Sequence, residues 1–466
     1  MKKTKSLLLL CFAIIIALSL FSCAEVTNDE DLSDEPLTAD KLFDKIDKKM
    51  DSYDSYEAII TAQIKATVNG YEVNGTIEGS EIRVGLVDGD YGFYSETVSV
   101  ISAPSLALNQ TTNSVNGYYN GNYFISNNGE GTNRNLYSPM TKEEAIAYQG
   151  DGKEFDFFTL KDATNKEFVK NEDKSYKLTF SGYASESIDE LVSVFKFDEL
   201  YDPEQIVDVT FIIIADSYFN ATELSVTLEF QDAEGAEKTP EMSIKATYSK
   251  YNEAVIDESK IDLSKYTKMD DIRLIDTVVE LMDGVAEKSE GEFSLAVSQT
   301  VKIMGETQTS KETDKIVFGT GNSGFYYEID ADMNGAKYDI SYENGQQTVK
   351  QNGQSSSNAQ SEEAAREFIK SLLNSCQFNE GALTNVVKVS DKEYKITCVP
   401  KTLYEQVFNT MGVTYKSVEQ TITLTLNDNG GAAKIYSTVN AKGTLTQGNS
   451  SFEMTMNIES QVDITK

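Results

Sequence analysis

The chain has 466 residues, 41 basic and 75 acidic side chains, a formal net charge of -34, and neither histidine nor tryptophan. So acidic a surface repels nucleic acid and phosphate-rich polymers, and the missing imidazole removes the commonest general base and metal ligand. Nucleic-acid binding, histidine-based catalysis and most metal chemistry are therefore disfavoured before any motif is sought.

Residues 1–22 read as an export signal, because Lys2, Lys3 and Lys5 precede an apolar run over 7–21 that is too short to span a bilayer comfortably. The run ends in Leu20-Phe21-Ser22-Cys23, which resembles a bacterial lipobox. That resemblance implies a diacylglycerol on the sulfur of Cys23, which becomes the first mature residue. The protein is then exported and lipid-anchored, on the outer side of the cytoplasmic membrane. The alternative is an ordinary signal cut near Ala17-Leu18-Ser19 with an incidental Cys23. Residues 23–40 carry Glu25, Asp29, Glu30, Asp31, Asp34, Glu35 and Asp40 with no basic side chain, a composition that stays solvated as a tether.

A first repeat domain is expected over 41–268. It opens with a helix capped by Thr38, with Leu42, Ile46 and Met50 on one face. Strand alternation follows at Ile60, Ala62, Ile64, Ala66 and Val68, with turn signals at Asn69-Gly70, Asn74-Gly75 and Asp88-Gly89. The stretch Gly-Asp-Tyr-Gly-Phe-Tyr-Ser-Glu over 89–96 places Phe93 on one strand face and Tyr94 on the other. Capping boxes at Thr141 to Glu144 and Ser187 to Glu190 mark two further helices. Between them lies Asp-Lys-Ser-Tyr-Lys-Leu-Thr-Phe over 173–180.

A second repeat domain over 269–466 echoes the first. At an offset of 232, Leu42-Phe43-Asp44 meets Leu274-Ile275-Asp276, and 89–96 meets Gly-Asn-Ser-Gly-Phe-Tyr-Tyr-Glu at 321–328, which makes Phe325 the counterpart of Phe93. Hairpin signals stand at Asn334-Gly335 and Asn344-Gly345. The polar stretch 346–360 reads as a mobile loop. A helix follows Ser361, and another begins at a capping box from Thr402 to Glu405. The segment Asp-Lys-Glu-Tyr-Lys-Ile-Thr-Cys over 391–398 matches 173–180 at an offset of 218. That alignment sets Cys376 on Phe158 and Cys398 on Phe180. If the two phenylalanines touch, a disulfide joins Cys376 to Cys398; the alternative is a pair of buried free thiols. No metal site is expected, since no His and no further Cys is available to complete one.

The fold class expected is α+β: two tandem repeats, each a curved antiparallel sheet, an open half-barrel, covered by about three helices. Phe93, Phe325, Phe158 and Phe180 either fill ordinary cores or line an apolar cavity between sheet and helices. Enzyme motifs do not persuade. Ser193-x-x-Lys196 lies on a helix that needs Val194 and Phe195 for packing, and Asn427-Asp428-Asn429-Gly430 lacks the distal glutamate of a calcium loop.

The order of elements in each copy, behind an export signal and Cys23, resembles the bacterial lipoprotein-carrier group that includes LolA, LolB and the LppX/LprG lipoproteins. The resemblance is one of topology and covers nearly all of the mature chain. It implies an unclosed β-barrel roofed by helices, and a non-enzymatic envelope lipoprotein that binds lipid or another hydrophobic molecule without a cofactor. The alternative is a structural or interaction lipoprotein with closed cores.

Overall fold

A computed structural model describes residues 37–465 apart from 69–70, 88, 107, 130–131, 150–161, 185–186, 189–205, 231–240, 287, 322–323, 352, 374–379 and 448–449. The described chain divides into two compact units. One runs up to Tyr266 without 131–136, and the other comprises Thr267–Lys466 with Gly131–Leu136.

The helices are α1 (Ala39–Asp51), α2 (Lys142–Gln149), α3 (Leu274–Ala286), α4 (Glu362–Leu373) and α5 (Lys401–Thr410). Eleven strands precede residue 250: β1 (Tyr56–Val68), β2 (Tyr71–Val84), β3 (Gly92–Ala103), β4 (Leu108–Tyr119), β5 (Asn122–Gly129), β6 (Thr132–Pro139), β7 (Asn165–Lys170), β8 (Tyr176–Ser181), β9 (Ile206–Ala215), β10 (Ala221–Phe230) and β11 (Glu241–Ser249). The remainder are β12 (Thr267–Lys268), β13 (Gly291–Ile303), β14 (Glu306–Gly321), β15 (Gly324–Met333), β16 (Ala336–Glu343), β17 (Gln346–Gln351), β18 (Gln354–Ala359), β19 (Leu383–Ser390), β20 (Glu393–Cys398), β21 (Val413–Leu426), β22 (Ala432–Gln447) and β23 (Ser450–Ile464).

The first sheet has twelve strands in the order β12-β6-β5-β4-β3-β2-β1-β11-β10-β9-β8-β7, and the second has eleven in the order β18-β17-β16-β15-β14-β13-β23-β22-β21-β20-β19. Counted from β13, the second order repeats that of β6 through β7 in the first. In each sheet the first long strand pairs with the last, β1 with β11 and β13 with β23, both antiparallel.

This architecture corrects the α+β expectation. Among the described residues 61% lie in strands and 19% in helices, so the protein is mostly β, not a pair of helix-covered α+β half-barrels. Two causes are visible. The strands are long, reaching sixteen residues in β14 and β22, whereas α2 has eight and buries only Ala145 and Gln149. The stretch 346–360, expected to be a mobile loop, is instead the hairpin β17–β18. Its Gln, Ser and Thr side chains give no apolar alternation, but its backbone completes a ladder and the Thr348 and Ser357 hydroxyls lie 2.9 Å apart across it.

Thr38 caps α1, its Oγ1 accepting from Lys41 N at 3.3 Å, and Leu42, Phe43, Ile46 and Met50 are buried. Thr141 and Glu144 form a reciprocal capping box at 3.2 and 2.9 Å. Asn334-Gly335 and Asn344-Gly345 have positive φ at both positions, as two-residue hairpin turns require. Asn74-Gly75 is not a turn: it lies inside β2, where Gly75 faces Ile64. Nor does Thr402 cap a helix, since α5 begins at Lys401 after Pro400.

An extensive core lies in the first unit, where α1 and the inward residues of β1, β2 and β8–β11 bury one another, with the Phe43 and Phe180 rings edge to face at 5.8 Å. In the second unit Tyr404 and Phe408 of α5 pack on Val413, Val418, Val439, Met454 and Met456. No helix among the described residues is long and apolar enough to cross a membrane.

Candidate functional site

Strand alternation and register place three rows of side chains on the inward face of β1–β5. Tyr56, Arg83, Phe93, Tyr118 and Tyr123 form one row, and Ala58, Glu81, Ser95, Asn116 and Ile125 the next. The third is Ile60, Gly79, Thr97, Ser114 and Asn127. A face of this kind is ordinarily apolar, yet here its middle is polar. Ser95 is 2% exposed, Asn116 6% and Asn127 7%, and Glu81, Arg83, Thr97, Ser99 and Thr112 are buried beside them.

Arg83 and Glu81 hold each other. Arg83 Nε donates to Glu81 Oε1 at 2.7 Å, Nη1 donates to Tyr91 Oη at 3.1 Å, and the guanidinium lies 5.2 Å from the Phe93 ring centroid. Burial works most strongly against the Arg83 charge, but the Glu81 carboxylate, its hydrogen bond and the Tyr56 and Tyr91 phenols together outweigh it, so the guanidinium is held more firmly protonated than usual. Burial likewise raises the Tyr56 phenol well above its ordinary range.

Asn116 Nδ2 donates to Gln149 Oε1 at 3.3 Å, which ties β4 to α2. Its Oδ1, the Asn127 Oδ1 and the Ser95 Oγ have no hydrogen-bond partner among the described residues. A buried acceptor left without a donor costs about 1–3 kcal/mol, so three on one patch need a compensating role.

The second unit is built differently. Phe325 is buried among Phe318, Tyr327 and Tyr342, and the Arg366 guanidinium of α4 lies 4.3 Å from its ring centroid. A helix thus supplies the cation that a strand supplies to Phe93. On β14, Asp314 lies between Leu295 and Ala331 on the buried side. Burial, aided by the Glu312 carboxylate, raises its pKa to about 6. Asp314 borders an open cleft of about 590 Å³, lined also by Leu295, Ala331, Tyr338, Lys315 and Lys337.

Among the residues expected from sequence to form sites, Phe93 and Phe325 are packed by aromatic rings. Phe180 belongs to the α1 core instead and does not join Phe93. Phe158, Cys376 and Cys23 lie outside the described residues, as does the Ser193 to Lys196 stretch. Cys398 is a free, fully buried thiol whose pKa burial pushes up to about 12. Among the described residues no cluster of Cys, Asp and Glu could hold a metal ion. Sequence reasoning missed Arg83, Glu81, Ser95, Asn116, Asn127 and Asp314. The available signal was period two: Glu81 and Arg83 share the face of Ile77, and Asp314 that of Ile316.

No family model matches the chain, and no curated protein sequence does. Solved structures give distant similarity. LprF from Mycobacterium bovis is 11% identical, covering 47% of this chain and 94% of that one with a TM-score of 0.26. A DUF1329 family protein from Desulfovibrio piger is 13% identical over 40% of this chain and 90% of that one, TM-score 0.16. A domain described as an outer membrane lipoprotein-sorting protein, from Vibrio parahaemolyticus, is 11% identical over 41% and 90%, TM-score 0.14. TM-scores this low carry no argument about fold or function.

Proposed function

We propose that this is an exported, non-enzymatic lipoprotein of a bacterial cell envelope, tethered through an acylated Cys23, which binds lipid or another hydrophobic molecule against the inward face of its sheets. Its two units are copies of one ancestral unit, a reading supported by the shared strand order and by the sequence echoes at offsets of 232 and 218. The observation that carries the proposal is the export signal ending in Leu20-Phe21-Ser22-Cys23, on a chain whose open sheets each bury a face rich in apolar side chains. Two or three acyl chains, at about 0.8 kcal/mol per buried methylene, hold such a protein firmly on a membrane.

Metabolic labelling with radioactive palmitate in a bacterial host tests the anchor. The chain takes up label and fractionates with membranes, and Cys23→Ala abolishes both. Label retained by Cys23→Ala, or a wild-type chain released without label, contradicts the anchor. A second reading, an interaction lipoprotein with closed cores, is favoured by the ring-filled surroundings of Phe93, Phe180 and Phe325. Uptake of an environment-sensitive apolar dye by the purified chain separates the two: saturable binding supports the ligand carrier, and its absence supports the closed core.

A further inference from the structure

We infer that the polar strip on the inward face of β3–β5 is a head-group site, and that it selects an uncharged, hydroxyl-bearing amphiphile as the hydrophobic ligand. The inference rests on the ligand-binding reading above and adds the chemistry of the head group.

Ser95 and Asn116 are directly opposite across β3 and β4, where side chains start about 4.5–5.5 Å apart. Asn127 lies diagonally from Asn116 across β4 and β5, at about 7–8 Å. Their atoms without protein partners, Ser95 Oγ, Asn116 Oδ1 and Asn127 Oδ1, are two obligate acceptors and one hydroxyl that can accept. Three acceptors at this spacing match a ligand that brings several donors on one small frame, as the hydroxyls of a glycerol or sugar do.

Charge narrows the choice. The neighbouring Glu81 carboxylate is neutralised at 2.7 Å by Arg83, so that pair adds no net charge to the patch. A phosphate or carboxylate head would bring more acceptors to a place already lined with them. An ammonium head would approach beside the Arg83 guanidinium. Neutral hydroxyl donors satisfy the patch without either conflict. The core of α1, β1 and β8–β11 supplies apolar surface in the same unit. Burial makes the selection sharp, because a ligand lacking the hydroxyls leaves desolvated acceptors unmet.

The test compares 1-monooleoylglycerol with methyl oleate, which share an acyl chain and differ in their hydroxyls. Binding to the delipidated full chain is read by displacement of a fluorescent fatty-acid probe. Wild type prefers monooleoylglycerol by about tenfold or more, the effect expected of at least one buried hydrogen bond. The pair Asn116→Leu and Asn127→Leu brings the ratio to about one by weakening monooleoylglycerol alone, with methyl oleate changed less than about twofold. Ser95→Ala, which deletes one atom, keeps the test decisive if the double variant misfolds, and lowers the ratio about threefold. Equal affinities in wild type, or an undiminished preference in the folded variants, overturn the head-group site while leaving a hydrophobic binder standing. Failure of both compounds to displace the probe, with methyl oleate no better than buffer, overturns the underlying reading as well.

Discussion

Replacing Arg83 by methionine tests whether the inward face of the first sheet encloses a true buried ion pair. The Arg83 side chain is 0% exposed and that of Glu81 6%, with Nε and Oε1 2.7 Å apart, so the carboxylate loses its counter-charge with no water to replace it. Removing one partner of a buried pair costs about 3–5 kcal/mol, and about 4 kcal/mol is roughly a thousandfold in the folding equilibrium. Glu81→Leu combined with Arg83→Met removes both charges, and such swaps are neutral or even stabilising by about 1–4 kcal/mol. The contrast between single and double variants isolates the pair from the volume change.

Urea unfolding followed by tyrosine fluorescence reads the result, since the chain has 25 tyrosines and no tryptophan. The first unit's transition moves to lower urea in Arg83→Met and returns in the double variant. High salt changes neither much, because buried charges are poorly screened. A single-variant loss below about 1 kcal/mol, the range of an exposed pair, refutes the reasoning. So does a double variant as damaged as the single one.

The raised pKa of Asp314, about 6, gives the second unit a contribution that is fully present below the unfolded carboxylate pKa near 4 and is lost as pH rises to about 6. A shift of about two units is worth roughly 3 kcal/mol, reduced by solvent in the cleft to about 1–2 kcal/mol, and Asp314→Asn should flatten the pH profile of unfolding by that amount. An unchanged profile contradicts the assignment. Phe180→Ala removes a ring that is 1% exposed against Phe43 and should cost the first unit about 3–5 kcal/mol by calorimetry, whereas a loss under about 1 kcal/mol would place the ring outside the core. Cys398 carries a free, buried thiol in the structure, so the second unit should melt alike with and without reductant; a lower melting temperature in reductant, by up to the roughly 3 kcal/mol of a bridge closing about twenty residues, would instead mean that Cys398 is joined to Cys376.

Much of the strand framework was legible in local pattern. The alternation of Ile60, Ala62 and Ile64 is that of a strand with one buried face, and the Asn-Gly pairs at 334 and 344 sit at true hairpin turns. The Thr38 and Thr141 caps were equally plain, because a cap is decided by residues three apart. What could not be read depends on partners distant in sequence. Asn74-Gly75 has turn chemistry but lies within β2, where pairing with β1 and β3 overrides it. The hairpin β17–β18 draws on backbone pairing alone, which leaves no apolar period to detect. The same limit hid the polar strip. Glu81, Arg83, Asn116 and Asn127 look like a wet strand face until register turns them inward beside Phe93 and Ile125.

Native mass spectrometry of the full chain, released gently from membranes of a bacterial host, addresses ligand binding most directly. The expected spectrum shows the acylated protein with a further, non-covalent apolar molecule in stoichiometric amount, released on denaturation and identified by lipid extraction. A chain that flies repeatedly as bare acylated protein, and gains no mass when offered monooleoylglycerol, contradicts the claim that this fold carries a hydrophobic ligand.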